Sequence, residues 1–285
     1  MTLHINPLHT SFVGEVSGID LSMKCESDIL ASLREALDAY AVLVFRDQLL
    51  SDEQQLLLAQ QLDGALHTKT GVAALGPNRF GNEAITDVSN IGDDGAILNS
   101  TDRRAQYALA NRLWHTDASF ESPRGRYSLL SARIVPEQGG STEYADMRSA
   151  YDALDSKIKS TISKLKAHHS IAYSRERLGF KFKVEEREIL YGKAYPIADL
   201  NQRTGRTALY LAAHASHIVG WPVPDGRLML QDLIEHAVQH KFVYSHQWEA
   251  HDLVIYDNLT TMHRGRPYDS HAVKREMRRV TTLDC

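Results

Sequence analysis

Residues 127–135, Tyr-Ser-Leu-Leu-Ser-Ala-Arg-Ile-Val, decide the fold class because they have the composition of a strand and end at Pro136 and the turn Gln138-Gly-Gly140. Further strand-like segments follow after long and uneven connections, at 207–211, 242–246, 252–256 and 277–283. The lack of a regular alternation of strands and helices disfavours a Rossmann fold or a TIM barrel. Neither phosphate-binding motif, GxGxxG or GxxxxGK[ST], occurs. We therefore expect an antiparallel sandwich or jelly roll.

Helical patterns flank these strands, so the expected fold class is mainly β with flanking helices. Residues 27–40 place apolar side chains at helical spacing, and a short buried strand is predicted at 41–45. Ser51 is followed three residues later by Gln54, which is the capping-box pattern at the start of a helix predicted to end at residue 62. Later helices are predicted at 148–154, 156–165 and 225–239.

The chain is expected to form a single domain over residues 1–285, because no linker, repeat or low-complexity segment divides it. Between residues 68 and 111 the periodic pattern weakens, and glycine, asparagine and aspartate are scattered through it. Long irregular segments inside compact domains are usually functional. We therefore predict an active-site lid at 68–111.

Composition limits the classes of partner. The chain has 32 Lys+Arg against 36 Asp+Glu, a formal net charge of −4, so no basic surplus favours nucleic acid or anionic lipid. Its apolar stretches are too short to span a bilayer, and its N-terminus lacks the pattern of a signal peptide. With only two cysteines, Cys25 and Cys285, a disulfide framework is excluded, which favours a cytoplasmic location.

A metal site is suggested by His115 and Asp117 in Leu-Trp-His-Thr-Asp at 113–117. On a strand, two residues at this spacing point to the same face about 7 Å apart. His263 is the best candidate for a third ligand, because it follows the strand-like segment at 252–256. Two imidazoles and one carboxylate are the ligand set of non-haem Fe(II) oxygenases. A chain with 14 histidines also contains such a pair by chance, and a buried histidine often only hydrogen-bonds its neighbours.

Two arginines downstream add to this hypothesis. Arg275 and Arg279 lie at even spacing, so on a strand both guanidinium groups face the same way. Arginine binds carboxylates through two parallel hydrogen bonds, so the pair would suit two anionic molecules beside a metal. The alternative is a solvated basic edge, since Lys274 and Arg278 belong to the same cluster.

At this point the sequence resembles the Fe(II)- and 2-oxoglutarate-dependent dioxygenases of the taurine and aryloxyalkanoate type, the TauD/TfdA family. The resemblance covers most of the chain, in the order of the family. It rests on Leu-Trp-His-Thr-Asp at 113–117, Gly-Gly-Ser-Thr-Glu at 139–143, Asp-Met-Arg-Ser-Ala-Tyr-Asp-Ala-Leu at 146–154, Tyr-Asp-Asn at 256–258, His-Arg-Gly-Arg at 263–266 and Arg-Glu-Met-Arg-Arg-Val-Thr-Thr-Leu from 275.

The resemblance implies a double-stranded β-helix, or jelly-roll, core. It also implies that His115, Asp117 and His263 ligate Fe(II), with 2-oxoglutarate and O2 as co-substrates. Arg275 would then bind the distal carboxylate of 2-oxoglutarate together with Thr142. For Thr142, a role in the turn after Gly139-Gly140 is equally compatible with the local sequence.

The resemblance places the anionic group of the primary substrate on Arg279. Lys69 falls close to a second polar contact to that group, with His67 as the neighbouring alternative, and either side chain could simply be solvated. Ser89 and Asn90 are candidates for a backbone contact to the substrate.

Other residues near these motifs are assigned structural roles or leave an alternative open. His169, His214 and His217 are interpreted as structural, because no nearby carboxylate or cysteine completes a second metal site. Tyr256 stands where the relatives usually have tryptophan, which we expect to change packing rather than chemistry. The spacing from His263 to Arg275 is one residue longer than in close relatives, so Lys274 remains an alternative to Arg275.

The expected activity is hydroxylation of a small anionic substrate, coupled to decarboxylation of 2-oxoglutarate to succinate and CO2. The motifs favour the aryloxyalkanoate branch, with a phenoxyacetate or phenoxypropionate cleaved to a phenol and an oxo acid. The runner-up substrates are taurine, an alkyl sulfonate or another small carboxylate. A catalytically silent anion-binding jelly roll and a zinc hydrolase are alternatives from other classes. We expect no nucleic-acid or membrane partner, and a homo-oligomer.

Overall fold

The computed structural model describes residues 3–68, 79–188 and 190–285. Its strands are β1 (His4–Pro7), β2 (Val13–Ser17), β3 (Val42–Phe45), β4 (Ile85–Ser89), β5 (Gly125–Ile134), β6 (Thr142–Asp146), β7 (Lys166–His169), β8 (Lys193–Pro196), β9 (Ala198–Leu200), β10 (Thr207–Leu209), β11 (Ala215–Ile218), β12 (Val243–His246), β13 (Leu253–Asp257), β14 (Thr261–Gly265) and β15 (Glu276–Leu283). Its helices are α1 (Ser27–Tyr40), α2 (Asp52–Asp63), α3 (Arg103–Ala108), α4 (Met147–Asp152), α5 (Ser156–Ile162), α6 (Ile171–Glu176), α7 (Val184–Glu188) and α8 (Val223–Ala237).

Two sheets form the centre of the molecule. The larger has seven strands in the order β1-β2-β3-β13-β5-β15-β4, with all neighbours antiparallel except β2 and β3. The smaller has the antiparallel order β12-β6-β14. Two further small sheets, β11-β7-β8 and β10-β9, extend the structure beyond the smaller sheet.

The larger sheet is buried on both faces, and alternate side chains enter different cores. On β3, Leu43 and Phe45 pack with α1 and α2 on the outer face, whereas Val42 and Val44 point towards the smaller sheet. This two-residue alternation follows from the pleat of a strand. Tyr144 of β6 packs in the same inner core. The two sheets therefore enclose one apolar layer between them.

A third core covers the outer face of the smaller sheet. Ala145 of β6 and Met262 of β14 pack there against residues of α4 and α8, including Ala150 and Leu230. Helices thus cover both outer faces of the pair of sheets. The predicted mainly β jelly roll with flanking helices is confirmed. None of the described helices is long and apolar enough to cross a membrane.

The described residues of the segment predicted as an irregular lid, 68 and 79–111, include regular structure. β4 pairs with β15 at the edge of the larger sheet, and α3 follows. The sequence missed β4 because glycines and asparagines on either side of it hide a strand of only five residues.

The predicted start of α2 is confirmed atom by atom. The Gln54 backbone N–H donates to Ser51 Oγ at 3.2 Å, and the Ser51 N–H donates to Gln54 Oε1 at 2.7 Å. These two bonds satisfy donors that a helix leaves unpaired at its first turn. Leu58 and Leu62 of this helix are buried against the larger sheet, so the cap supports a core element.

Replacing Ser51 by alanine should lower the free energy of unfolding by about 1 kcal/mol, because it removes the N-cap acceptor. The change is measured as the shift of the urea midpoint. Ser32→Ala is the matched control, since Ser32 is half-buried within α1 and its hydroxyl donates to the Asp28 carbonyl, away from the helix start. Equal shifts in the two variants would contradict a specific role for the cap.

Candidate metal centre

Three side chains converge where the two sheets meet at one end. His115, Asp117 and His263 are buried, and one potential ligand atom of each lies within 4.8 Å of the others. Asp117 Oδ1 is 3.9 Å from His115 Nε2 and 3.7 Å from His263 Nε2. In the described residues no other group of histidines, cysteines and carboxylates has this geometry.

The backbone brings these residues together. His263 lies on β14, and its N–H donates to the His115 carbonyl at 2.8 Å while the His115 N–H donates to the His263 carbonyl at 2.9 Å. His115 is an isolated bridge residue, and Asp117 begins a turn. The expectation that His115 and Asp117 share the face of a strand is therefore wrong: a bridge followed by a turn makes the two side chains converge.

Hydrogen bonds fix the orientation of the two ligands in this turn. His115 Nδ1 lies 2.7 Å from the Leu113 carbonyl, so Nδ1 carries the proton and Nε2 keeps its lone pair. Asp117 Oδ2 accepts hydrogen bonds from Ser128 Oγ and from the Tyr256 hydroxyl, both at 2.8 Å. Oδ1 consequently faces the two imidazoles. Outer contacts of this kind orient metal ligands and tune their basicity.

The protonation states suit a divalent cation. Burial lowers the pKa of His263 to about 4 and lowers the pKa of His115 well below its usual range. Burial acts to raise the pKa of Asp117, but Arg279 and the two histidines outweigh it, and the net pKa is lowered. At neutral pH the set is therefore two neutral imidazoles and one carboxylate, which are the forms that bind metal. The donor set fits Fe(II).

Tyr256 corrects the sequence interpretation. Its hydroxyl donates to Asp117 and lies 3.4 Å from His263 Nε2, so this residue contacts the ligand set and does more than fill space. The sequence showed that Tyr256 stands where the relatives usually have tryptophan, but it could not show that the hydroxyl points towards Asp117. Ser128 and Asn258 were also missed. Asn258 Oδ1 accepts from the Asp117 backbone N–H at 2.9 Å, which ties the turn to the end of β13.

A buried cation lies near the start of β15. Arg275 lines the cavity beside the three ligands, whereas Lys274 is exposed, so Arg275 is the residue available to a ligand there. Its Nη2 donates to the Gly140 carbonyl at 3.4 Å, and no carboxylate among the described residues pairs with it. Gly140 has φ +69°, and a Cβ there would lie 2.9 Å from Pro136 and 3.5 Å from Arg275 Nε. Glycine is thus required both by the positive φ and by the close approach of Pro136.

Thr142 also lines the cavity, at the first residue of β6. Its Oγ1 accepts a hydrogen bond from the Trp248 indole at 2.9 Å. The hydroxyl proton therefore remains available to an acceptor in the cavity. Thr142 belongs to a strand rather than to the preceding turn, which weakens the alternative of a purely turn-stabilising role.

Arg279 has a different environment from Arg275. Its Nη1 contacts Asp117 Oδ1, so its charge is paired with a member of the ligand set. His67 lies nearby in the cavity wall, and burial followed by Arg279 lowers its pKa to about 4. Lys69, the alternative to His67, lies outside the described residues.

Ser89 and Asn90 line the cavity at the end of β4. The Asn90 side chain donates to the carbonyls of Ser270 and Val273 at 2.8 and 2.9 Å and accepts from the Arg275 N–H at 2.8 Å. These bonds hold the loop before β15, so the side chain of Asn90 positions Arg275. The backbone N–H of Asn90 donates to the Arg275 carbonyl at 3.3 Å, which argues against the expected backbone contact to a substrate at this residue.

The other histidines have local partners, in line with the structural interpretation. His169 Nδ1 is 3.0 Å from Ser119 Oγ, and His217 stacks on His168 with ring centroids 5.1 Å apart. His214 lines the cavity, with its Nδ1 2.8 Å from Ser174 Oγ and its ring 5.8 Å from that of His115.

Comparison with known proteins agrees with this geometry. Residues 4–281 match the family described as "Taurine catabolism dioxygenase TauD, TfdA family". The chain belongs to this family. The TauD/TfdA resemblance seen in the motifs is confirmed, and so is the predicted enzyme class. As a member, the protein is a non-haem Fe(II) dioxygenase with 2-oxoglutarate and O2 as co-substrates.

Relatives in the TauD/TfdA family cover nearly the whole chain. An alpha-ketoglutarate-dependent 2,4-dichlorophenoxyacetate dioxygenase of Cupriavidus pinatubonensis is 41% identical over 285 residues, covering 100% of this chain and 99% of the relative. An (S)-phenoxypropionate/alpha-ketoglutarate-dioxygenase of Sphingobium herbicidovorans is 33% identical over 274 residues, covering 93% and 90%. The crystal structure of AAD-2 in complex with Mn(II) and N-oxalylglycine superimposes with a TM-score of 0.95 at 43% identity, covering 99% of this chain and 98% of that one.

Replacing Tyr256 by phenylalanine should weaken metal binding by roughly 10- to 100-fold, because Asp117 Oδ2 loses one of its two side-chain donors while the ring is kept. The affinity is measured by titrating the protein with Mn(II) in a calorimeter. Tyr244→Phe is the matched control, since Tyr244 is half-buried on β12 and packs in the inner core. An unchanged Mn(II) affinity in Tyr256→Phe would contradict the assigned role.

Proposed function

We propose that this TauD/TfdA dioxygenase acts on an aryloxyalkanoate of the phenoxyacetate or phenoxypropionate type. The proposed reaction hydroxylates the carbon that carries the ether oxygen. One oxygen atom of O2 enters this hydroxyl group, and the other enters the succinate that is formed, with CO2, from 2-oxoglutarate. The resulting hemiacetal collapses, which releases a phenol and an oxo acid. The relatives described above, named for 2,4-dichlorophenoxyacetate and phenoxypropionate, support this choice of substrate class.

The observation that carries the proposal is that apolar and cationic side chains line the same cavity. The cavity has a volume of about 260 Å³ and opens onto the three predicted metal ligands. Its apolar wall is formed by Ile91, Leu98, Leu109, Phe120 and Ile171. Its cationic part includes Arg275 and Arg279. A molecule with an aromatic ring at one end and a carboxylate at the other matches both parts.

Each residue then has a defined task. His115, Asp117 and His263 would hold Fe(II), which, when bound, supplies the oxidative chemistry with 2-oxoglutarate and O2. Arg275 would pair with the distal carboxylate of 2-oxoglutarate, and Thr142 would donate its free hydroxyl proton to the same group. Arg279 would attract the substrate anion. The apolar wall would exclude water and hold the ring, so that the carbon beside the ether oxygen faces the ligand set.

The remaining expectations stay predictions. They are the active-site roles of Lys69 and Ser89, the lid at 68–111, the single domain at 1–285, the homo-oligomer and the cytoplasmic location. Taurine and alkyl sulfonates are the alternative substrates, and the function test separates them from aryloxy acids.

Protein reconstituted anaerobically with Fe(II) and started with O2 should release succinate from 2-oxoglutarate most strongly with one aryloxy acid. The panel contains phenoxyacetates, both phenoxypropionate enantiomers, taurine and an alkyl sulfonate, and phenol is measured in parallel with succinate. His115→Ala is the control, because it removes one ligand and should abolish the stimulation. Strong stimulation by taurine or the sulfonate, without stimulation by any aryloxy acid, would overturn the proposal.

Replacing Arg275 by glutamine should raise the KM for 2-oxoglutarate by at least about 30-fold, because the partner of a buried carboxylate is lost. The matched control is the neighbouring Lys274→Gln, which removes the same charge from an exposed position. Initial rates of succinate formation give both KM values. A larger effect from Lys274→Gln would assign the co-substrate contact to Lys274.

A further inference from the structure

The cavity wall contains a second buried arginine, Arg175, to which neither the motifs nor the resemblance assigned a role. Arg175 lies on α6, is 5% exposed and lines the cavity. Its guanidinium lies over the ring of Tyr107 at 4.5 Å, and it donates to Ser174 Oγ at 3.2 Å and to Asn111 Oδ1 at 3.1 Å. These neutral partners fix the direction of the side chain without neutralising its charge.

Most arginines around the cavity have their charge balanced or solvated. Arg79 pairs with Asp87 and Glu276, Arg104 with Asp93 and Asp102, Arg266 with Glu143, and Arg279 with Asp117, while Arg112 is exposed. In the described residues, Arg175 and Arg275 are the buried cavity arginines that form no ion pair with a carboxylate. A buried charge without a partner is costly, which marks a position where an anionic ligand has most to gain.

The two unpaired guanidinium groups belong to different parts of the cavity. Arg275 lies beside Gly140 and Tyr268, at the start of β15. Arg175 lies on α6 beside Tyr107 and is close to His214, whose pKa is lowered first by burial and then by the charge of Arg175. The reaction brings two anions into one cavity, and among the described residues the cavity offers two buried cations that lack a carboxylate partner.

Resting on the proposed function, we propose that Arg175 binds the carboxylate of the aryloxyalkanoate substrate and thereby makes the cavity selective for acids over their neutral analogues. Arg175 would act there together with Arg279, whose guanidinium also contacts Asp117. The apolar side chain of Ile171 comes from the same helix as Arg175 and also lines the cavity. One helix can therefore contact the carboxylate and the hydrophobic part of the same substrate.

Asn111 and Ser174 are positioning residues in this arrangement. Asn111 Oδ1 accepts from Arg175 Nη2, and Ser174 Oγ is shared between Arg175 Nη1 and His214 Nδ1. A planar guanidinium held at two nitrogens and stacked on an aromatic ring loses little further freedom when a carboxylate binds. The contact should therefore favour affinity as well as selectivity.

The test measures the binding of phenoxyacetate and of its neutral analogue phenoxyacetamide to protein loaded with Mn(II) and N-oxalylglycine, by calorimetry. The expected result is that Arg175→Gln lowers the preference for the acid over the amide by at least about 30-fold. Arg175→Lys should lower this preference less. Arg177→Gln is the matched control, because Arg177 is exposed one position beyond α6 and does not line the cavity.

The proposal would be overturned if Arg175→Gln kept the wild-type preference for phenoxyacetate over phenoxyacetamide, even if both affinities fell together. Arg175 would then have a structural role. If Arg175→Gln does not fold, as judged by circular dichroism, Arg175→Met, which also removes the charge, is measured against the same criterion. Wild-type protein that binds N-oxalylglycine but neither aryloxy probe would overturn the proposed function and this proposal with it. If only the Arg175 assignment is wrong, the wild-type protein still binds the acid preferentially and Arg175→Gln keeps that preference. The two failures can therefore be distinguished.

Discussion

The reciprocal pair of backbone hydrogen bonds between His115 and His263 is the constraint on which the rest of the site depends. It joins a turn before β5 to the strand β14, two segments that are far apart in the chain. Asn258 then fixes the Asp117 backbone through its side-chain oxygen. Because these contacts are made by backbone and buried side chains, the three ligand atoms are held close together by the fold itself. Such preorganisation is what a metal site with open positions requires.

Charge in the cavity follows from the same arrangement. Asp117 is the carboxylate of the ligand set, and its two oxygens face different partners: Oδ2 accepts from Ser128 and Tyr256, while Oδ1 faces the imidazoles and Arg279. Burial keeps the histidines neutral. Among the described residues, the buried arginines Arg175 and Arg275 of the cavity form no ion pair with a carboxylate, so the cavity favours anions at these two positions. Its positive charge is concentrated at a few buried positions, although the net charge of the whole chain is negative.

The sequence predicted the parts of the structure that depend on local patterns. The helix at Ser27–Tyr40 and the capping box at Ser51 are found where the spacing placed them. The metal ligands were predicted through motifs, although the geometry assumed for His115 and Asp117 was wrong. The five-residue strands β4, β6 and β14 were missed because polar residues interrupt them, whereas the continuous apolar run of β3 was recognised. The hydroxyl of Tyr256 and the unpaired charge of Arg175 were missed for another reason. The partner of the Tyr256 hydroxyl and the surroundings of Arg175 are both set by residues distant in sequence. No local pattern shows which arginine in a helix lacks a carboxylate partner.

The cations and the apolar side chains of the cavity come from different combinations of elements. Arg279 lies on β15, which pairs with β5 and β4 in the larger sheet, and Arg275 immediately precedes it, whereas Arg175 lies on α6, whose Ile171 packs with Tyr107 of α3. Much of the apolar wall comes from the segment between β4 and β5, including Ile91, Leu98 and Leu109. Connecting segments accept sequence change more readily than paired strands do. The cations at β15 are therefore built into the larger sheet, whereas the shape of the aromatic group that fits is determined in part by a segment that can change without loss of the sheets. Specificity for one aryl group over another can thus diverge while the metal site and the cations at β15 are retained.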